Sequence, residues 1–226
     1  MSLVWSREPY SPKRHAMSVE RVAGAAVAIA DAEGLDALSM RRVAAELGSG
    51  TTSLYRYVRN RDELLDLMVD AVRGEEAPLR LSGDWRSDLA AVAHGQRALM
   101  LRHPWLGSLL GTRPALGPNS LRRMDDALAA AAELTSDATR AANVIGLIRD
   151  YVLGAVSREL AELEAQRRTG LSMEEWRAGV APYIREIVAG GAYPHLAKRI
   201  VEARDLSFAE QFAYGLDRVL DGISGE

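Results

Sequence analysis

Apolar residues recur at helical spacing along the whole chain. Val19, Val22, Ala23, Ala26 and Ala30 share one face of a stretch from about Ser18 to Glu33, the i, i+3, i+4, i+7 signature of an amphipathic helix, and Gly34 stands where a helix ends most easily. Ser39 is placed to cap a short second helix carrying Met40, Val43, Ala44 and Leu47, which Gly48 stops. A third starts among Thr51, Thr52 and Ser53; Leu54, Tyr55 and Val58 share its apolar face, which leaves Arg56 and Tyr57 on the surface. Asn60, with Glu63 in the capping-box position, opens a fourth whose stripe is Leu64, Leu67, Met68 and Ala71.

The stretch from Gly74 to Gly83, with Pro78 inside it, reads as a domain junction. Beyond it, Asp84 caps a helix that ends near His103-Pro104, and a short turn leads into the Gly- and Pro-rich loop GTRPALGPN. Further helices are predicted from about Asn119 to Leu134, from a Ser136 cap to about Arg168, from Ser172 with Glu175 to Gly190-Gly191, from His195 to Arg204, and from Ser207 with Glu210 to Ile223. No run of alternating β-branched residues makes a strand. The expectation is an all-α protein: an arm over residues 1–17, a three-helix helix-turn-helix domain over residues 18–73, and a C-terminal helical bundle over residues 84–226.

Composition narrows the chemistry. There is no cysteine among the 226 residues, which removes disulfides, thiolate metal sites and cysteine nucleophiles. No uncharged apolar stretch approaches the roughly 18 residues that span a bilayer, and the N-terminus lacks an apolar signal core, so a cytoplasmic protein is expected. The net charge of −3 is unevenly spread: Arg41, Arg42, Arg56, Arg59 and Arg61 stand against the single acid Glu46 between Ser39 and Arg61. That is a basic surface in an acidic chain. Arg7, Lys13 and Arg14 give the arm a similar character, suited to a minor groove.

The stretch LGSGTTSLYRY carries two readings. Gly48-Ser49-Gly50 as a phosphate cradle needs a preceding strand and a third glycine, or a Gly-Lys before Ser or Thr; the stretch follows a helix and has neither. As the turn of a helix-turn-helix, it joins a supporting helix over Ser39–Leu47 to a reading helix over Thr51–Tyr57. Small hydroxyl residues at the start of that helix allow close approach to a groove. Arg56 is suited to a guanine edge, and tyrosine hydroxyls to phosphate oxygens. The same spacing also fits a three-helix corner with solvated arginines.

The run ADAEGLDALSMRRVAAELGSGTTSLYRYVRNRDELLDLMVDAV resembles the N-terminal DNA-binding domain of the TetR family of bacterial transcriptional regulators over about Ser18 to Arg73. Asp84-Trp85-Arg86, His103-Pro104-Trp105, Gly117-Pro118-Asn119 and the closing Phe212, Gly215, Leu216 and Asp217 resemble the C-terminal domain of the tetracycline-repressor type. The resemblance implies a homodimer that binds a palindromic double-stranded DNA operator. It makes Arg41, Thr51, Thr52, Ser53 and Arg56 candidates for base contact, and Ser39, Arg42, Tyr55, Tyr57 and Arg61 candidates for phosphate contact. Ser49 departs from it, standing where an apolar turn residue is usual.

A two-fold dimer must hold its reading helices about 34 Å apart, or a multiple of it, to meet successive grooves. The resemblance puts its interface near the C-terminus, with candidates Ile145, Ile148, Val152 and Val156 on the long helix and Phe208, Phe212, Leu216 and Val219 on the last. On pattern alone the same stripes serve as intramolecular core. The resemblance also implies a small-molecule effector in the bundle, for which His94, Asn143, Arg149 and Tyr151 are pocket candidates. No cofactor or metal is implied, and no chelating histidine set stands in register. His15, His94, His103 and His195 lie far apart without HExxH spacing, and no nucleophile elbow stands out, so the residues do not ask for an enzyme. The rival is a helical interaction or ligand-sensing bundle that no longer binds DNA.

Overall fold

Ser18 begins the first helix by accepting a 3.2 Å hydrogen bond from the Arg21 amide on its side-chain oxygen, as an N-cap serine does. This comes from a computed structural model, which describes residue 5 and residues 17–110 and 115–224. The helices are α1 (Val19–Glu33), α2 (Met40–Glu46), α3 (Thr51–Leu54), α4 (Arg61–Arg73), α5 (Trp85–Arg102), α6 (Leu106–Leu110), α7 (Pro118–Ala132), α8 (Ala138–Thr169), α9 (Met173–Ala189), α10 (Pro194–Glu202) and α11 (Phe208–Ser224). No strand occurs among the described residues. The all-α expectation therefore holds. The arm residues Arg7, Lys13 and Arg14 and His15 lie outside the described residues, as does part of the GTRPALGPN loop.

The chain divides into two compact units, one reaching Leu153 and one from Gly154 to Gly225. In the first, α1 packs on α2 and α4, α2 on α3, and α7 on both α4 and α5. Val22, Val43, Leu54, Val58, Leu64 and Met68 are fully buried and form the core of the N-terminal helices, each burial contributing about 1.5–3 kcal/mol. Helix α4 differs from its predicted single stripe: Ala71 is exposed, while Val69, Asp70 and Val72 are buried along with Leu64, Leu67 and Met68. Two packing partners, α1 and α7, cover more than one face of it.

A buried carboxylate ties α4 to α7. Asp70 is 3% exposed; its Oδ1 accepts a 2.8 Å bond from the Ser120 amide and its Oδ2 a 3.1 Å bond from Asn119 Nδ2. Asp70 thus satisfies an orphan donor in the first turn of α7. The adjoining N-cap residue, Gly117, supplies no side chain, and a Cβ there would collide with the Asp70 carboxylate.

In the second unit, α9 and α10 pack on each other and hold no buried residue, whereas α11 buries Phe212, Leu216, Leu220 and Ile223 along one face. Both capping boxes predicted here form: Ser172 with Glu175, and Ser207 with Glu210. The cap of α8 is different from the expected Ser136. Asp137 takes that place, its Oδ1 accepting from the Thr139 amide at 2.7 Å and the Arg140 amide at 3.3 Å. A carboxylate binds those amides more strongly than a hydroxyl and also suits the positive end of the helix.

Candidate nucleic-acid interface

The turn between α2 and α3 is built by main-chain bonds. Gly48 adopts φ +61°, its N–H donates to Ala45 O at 3.1 Å, and the Ser49 N–H reaches back to Ala44 O at 2.9 Å. This pair of bonds is a Schellman motif with Gly48 in the left-handed position. It accounts for Ser49: the residue contributes its amide to the motif, and its side chain is not the feature that closes the turn. Gly50 then caps α3 without a side-chain bond.

Helix α3 is short. After Leu54 the bonds shorten to an i+3 pattern, from the Tyr57 amide to Leu54 O at 2.9 Å. The tightened turn puts Leu54, Tyr57 and Val58 into the core and leaves Tyr55 half exposed at 50%. The predicted roles of the two tyrosines are therefore exchanged: Tyr57, expected on the surface, is 8% exposed. The surface of α3 and the turn after it that remains outward consists of Thr52, Ser53, Tyr55 and Arg56, with Thr51 half-buried. No side-chain hydrogen bond of Thr52 or Ser53 occurs among the described residues.

The supporting helix adds Arg41, which is exposed. Ser39 caps it, its Oγ accepting from the Arg42 amide at 3.1 Å. Arg42 is held by two acids: its guanidinium meets Glu33 at 2.7 Å and Glu46 at 2.8 Å. Those carboxylates push its proton affinity further above the usual arginine range, hydrogen bonding to Glu33 contributing most. Arg61 donates to Leu35 O at 3.1 Å, fastening the start of α4 to the turn after α1. Asn60 caps α4 by accepting from the Glu63 amide at 2.9 Å, while the Glu63 carboxylate accepts from the Arg59 amide at 2.7 Å. The return arm of the predicted capping box lands one residue early.

At the other end of α4, ion pairs connect it to the segment that follows and to α7. Glu76 meets Arg123 at 3.1 Å and Arg73 at 3.4 Å, with all three side chains largely buried. Burial pushes the Arg73 guanidinium below its usual range, against the pull of Glu76. Burial opposes the charge on Glu75, but hydrogen bonds from Arg102 and His103 outweigh it and hold that carboxyl below the usual range. Arg73 and Glu76 stand at local i,i+3 spacing, but nothing in the local pattern marks the pairings with Arg102, His103 and Arg123, which lie 27 or more residues away.

The pocket candidates lie on two helices, His94 on α5 and Asn143, Arg149 and Tyr151 on α8. His94, Asn143 and Arg149 are exposed, Arg149 pairs with Asp150 at 3.1 Å, and Tyr151 is half-buried. A cavity of about 480 Å³ is walled instead by Glu76, Leu79, Arg80, Ala98, Leu99 and Arg123, among others, and by none of those four. Of the interface candidates, Ile148, Val152, Val156, Phe212 and Leu216 are buried in the single chain, whereas Ile145, Phe208 and Val219 are half-buried. No group of three acids or histidines that could hold a metal ion occurs among the described residues, and no described helix is long and apolar enough to cross a membrane.

These features fall within known sequence families. The family described as bacterial regulatory proteins, tetR family, matches residues 15–68, and the tetracyclin repressor-like C-terminal domain matches residues 77–226. The chain is similar to the HTH-type transcriptional repressor DrrR1 of Streptomyces coeruleorubidus, with 44% identity over 99% of this chain and 84% of that protein. It is also similar to an HTH-type transcriptional regulator of Saccharopolyspora erythraea, with 38% identity over 80% of this chain and 78% of that protein. Among solved structures, the Streptomyces coelicolor TetR family protein ActR in complex with actinorhodin matches with a TM-score of 0.75 and 30% identity, over 93% of this chain and 100% of that one. A reading helix set by a Schellman turn, a matched regulatory domain on either side of the junction and this likeness to repressors agree: the chain belongs to the TetR family of DNA-binding helix-turn-helix transcriptional regulators.

Proposed function

We propose that the protein is a cytoplasmic repressor that binds a palindromic operator as a homodimer and is released by a small molecule bound in its C-terminal bundle. The observation that carries this reading is the outward surface of α3 and the turn after it, where Thr52, Ser53 and Arg56 are exposed, as is Arg41 on α2. Arg41, Thr51, Thr52, Ser53 and Arg56 are assigned to bases, and Ser39, Arg42, Tyr55, Tyr57 and Arg61 to phosphates and the support of the reading helix. Residues 18–73 then form the reader, residues 84–226 the ligand-binding and dimerisation domain, and residues 1–17 an arm.

The effector reading is supported by ActR, crystallised with actinorhodin and with (S)-DNPA. His94, Asn143, Arg149 and Tyr151 remain its candidate contacts. A ligand releases DNA only to the extent that it prefers the conformation that does not bind the operator. The dimer reading uses α8 and α11, where Ile145, Phe208 and Val219 keep surface to offer a second copy.

Footprinting the intact protein on the DNA upstream of its own and adjacent genes tests the proposal. A protected palindrome is expected, and the absence of any protected site sinks the repressor reading.

A further inference from the structure

His103 ends α5 and is 4% exposed. Its Nδ1 lies 2.8 Å from Asp31 Oδ1 on α1, and its Nε2 lies 3.2 Å from Glu75 Oε2, just beyond the end of α4. Each carboxylate has a second donor at the same oxygen: Trp105 Nε1 donates to Asp31 at 2.7 Å, and Arg102 donates to Glu75 at 2.8 Å. The charged groups facing the ring are thus Asp31 from α1, Glu75 from the segment after α4, and Arg102 from α5 by way of Glu75; Trp105 adds a neutral donor. One buried imidazole joins the two ends of the N-terminal helices to the start of the bundle.

The two contacts are served differently by the two charge states of the ring. A neutral imidazole has one N–H and one lone pair, so it donates to one carboxylate and turns a lone pair toward the other; only the imidazolium donates to both. We propose that His103 is a proton-dependent positioning residue, which as the imidazolium clasps α1 and the end of α4 to α5, and which on losing a proton releases the Glu75 side. Glu75 is the side given up because its contact is the longer one and Arg102 still satisfies its oxygen. Once the proton is lost, one N–H faces two carboxylates, so the ring holds only one of them and the clasp loosens. The consequence, operator affinity that weakens with rising pH, rests on the DNA-reading proposal; the clasp itself does not.

The test uses the full chain without DNA. Side-chain nitrogen NMR follows the ring of His103 between about pH 6 and pH 8, the range where histidine changes charge, and hydrogen exchange follows the amides from Ala71 to Gly74. His94 and His195, which are exposed, serve as internal comparisons. The expected result is that both ring nitrogens carry protons at the low end, and that the Nε2 proton and the protection of the end of α4 are lost together. After correction for the intrinsic exchange rate, protection falls by at most about tenfold per pH unit, the limit for one linked proton. His103→Gln is expected to abolish that step. A ring that never holds two protons, a ring that loses one with no change in protection, or a His103→Gln protein that keeps the same step overturns the proposal. Where the variant does not fold, the ring nitrogens of the unsubstituted protein decide alone.

Discussion

Asp70 accepts a 2.8 Å hydrogen bond from the amide of Ser120, so that a carboxylate near the end of α4 satisfies the first turn of α7. Helix α4 begins where Arg61 fastens it to the turn after α1 and is in contact with α7, within the C-terminal matched region. The placement of α4 is therefore set partly by groups far from it in sequence.

Replacing Asp70 with Ala is expected to destabilise the protein by about 1–3 kcal/mol, because the Ser120 amide and the Asn119 side chain lose a buried acceptor. Gly117→Ala is expected to act in the same direction by pushing the carboxylate away. Urea denaturation of both variants, read as a lower midpoint at unchanged slope, checks this.

Glu76→Gln removes the anion between Arg73 and Arg123, whose side chains are 15% and 12% exposed. Two guanidinium groups then remain largely buried beside a neutral amide. A loss of about 3 kcal/mol is expected, the scale measured when one partner of a buried ion pair is removed, and thermal unfolding of the variant reports it.

The capping acids Asp84, Glu175 and Glu210 are held below the usual carboxylate range, the first chiefly by the Ser87 hydroxyl and the other two by the amides of Ser172 and Ser207. A depressed folded value means that the stabilising effect is complete above the unfolded value, about pH 4, and is lost as pH falls through the folded one. The first turns of α5, α9 and α11 are accordingly expected to fray below about pH 4 and to be insensitive to pH between about 5 and 8. Amide chemical shifts of Ser87, Glu175 and Glu210 across an acid titration read this directly.

Much of this architecture was legible locally. The i, i+3, i+4 spacing located the helices, and Ser39, Asn60, Asp84, Ser172 and Ser207 cap the ones expected of them. Where two neighbours could serve, as Ser136 and Asp137 could, spacing did not reveal which side chain would win the amides. The exchanged tyrosines have the same origin: tightening to an i+3 bond after Leu54 decides which tyrosine turns inward, and both patterns read as helical. The Asp70 bond and the His103 clasp join positions 50 and 72 residues apart. Such pairs become visible only when the fold brings them together.

The basic surface makes a prediction about salt. Affinity for the operator should fall steeply with ionic strength, the slope rising with the number of phosphates neutralised. Arg61→Ala should reduce that slope by about 1 if its guanidinium reaches a phosphate, whereas Arg56→Ala should cost about 1–3 kcal/mol and relax base preference at one position of each half-site. Binding isotherms at several salt concentrations separate the two behaviours.

The most direct test of the central claim is to compare the intact protein with an Arg41→Ala, Arg56→Ala double variant on the protected upstream duplex, after circular dichroism has established equal helix content. Loss of specific binding with only weak, salt-sensitive association remaining is the predicted result. Equal binding by the two proteins would contradict the assignment of α2 and α3 as the DNA reader.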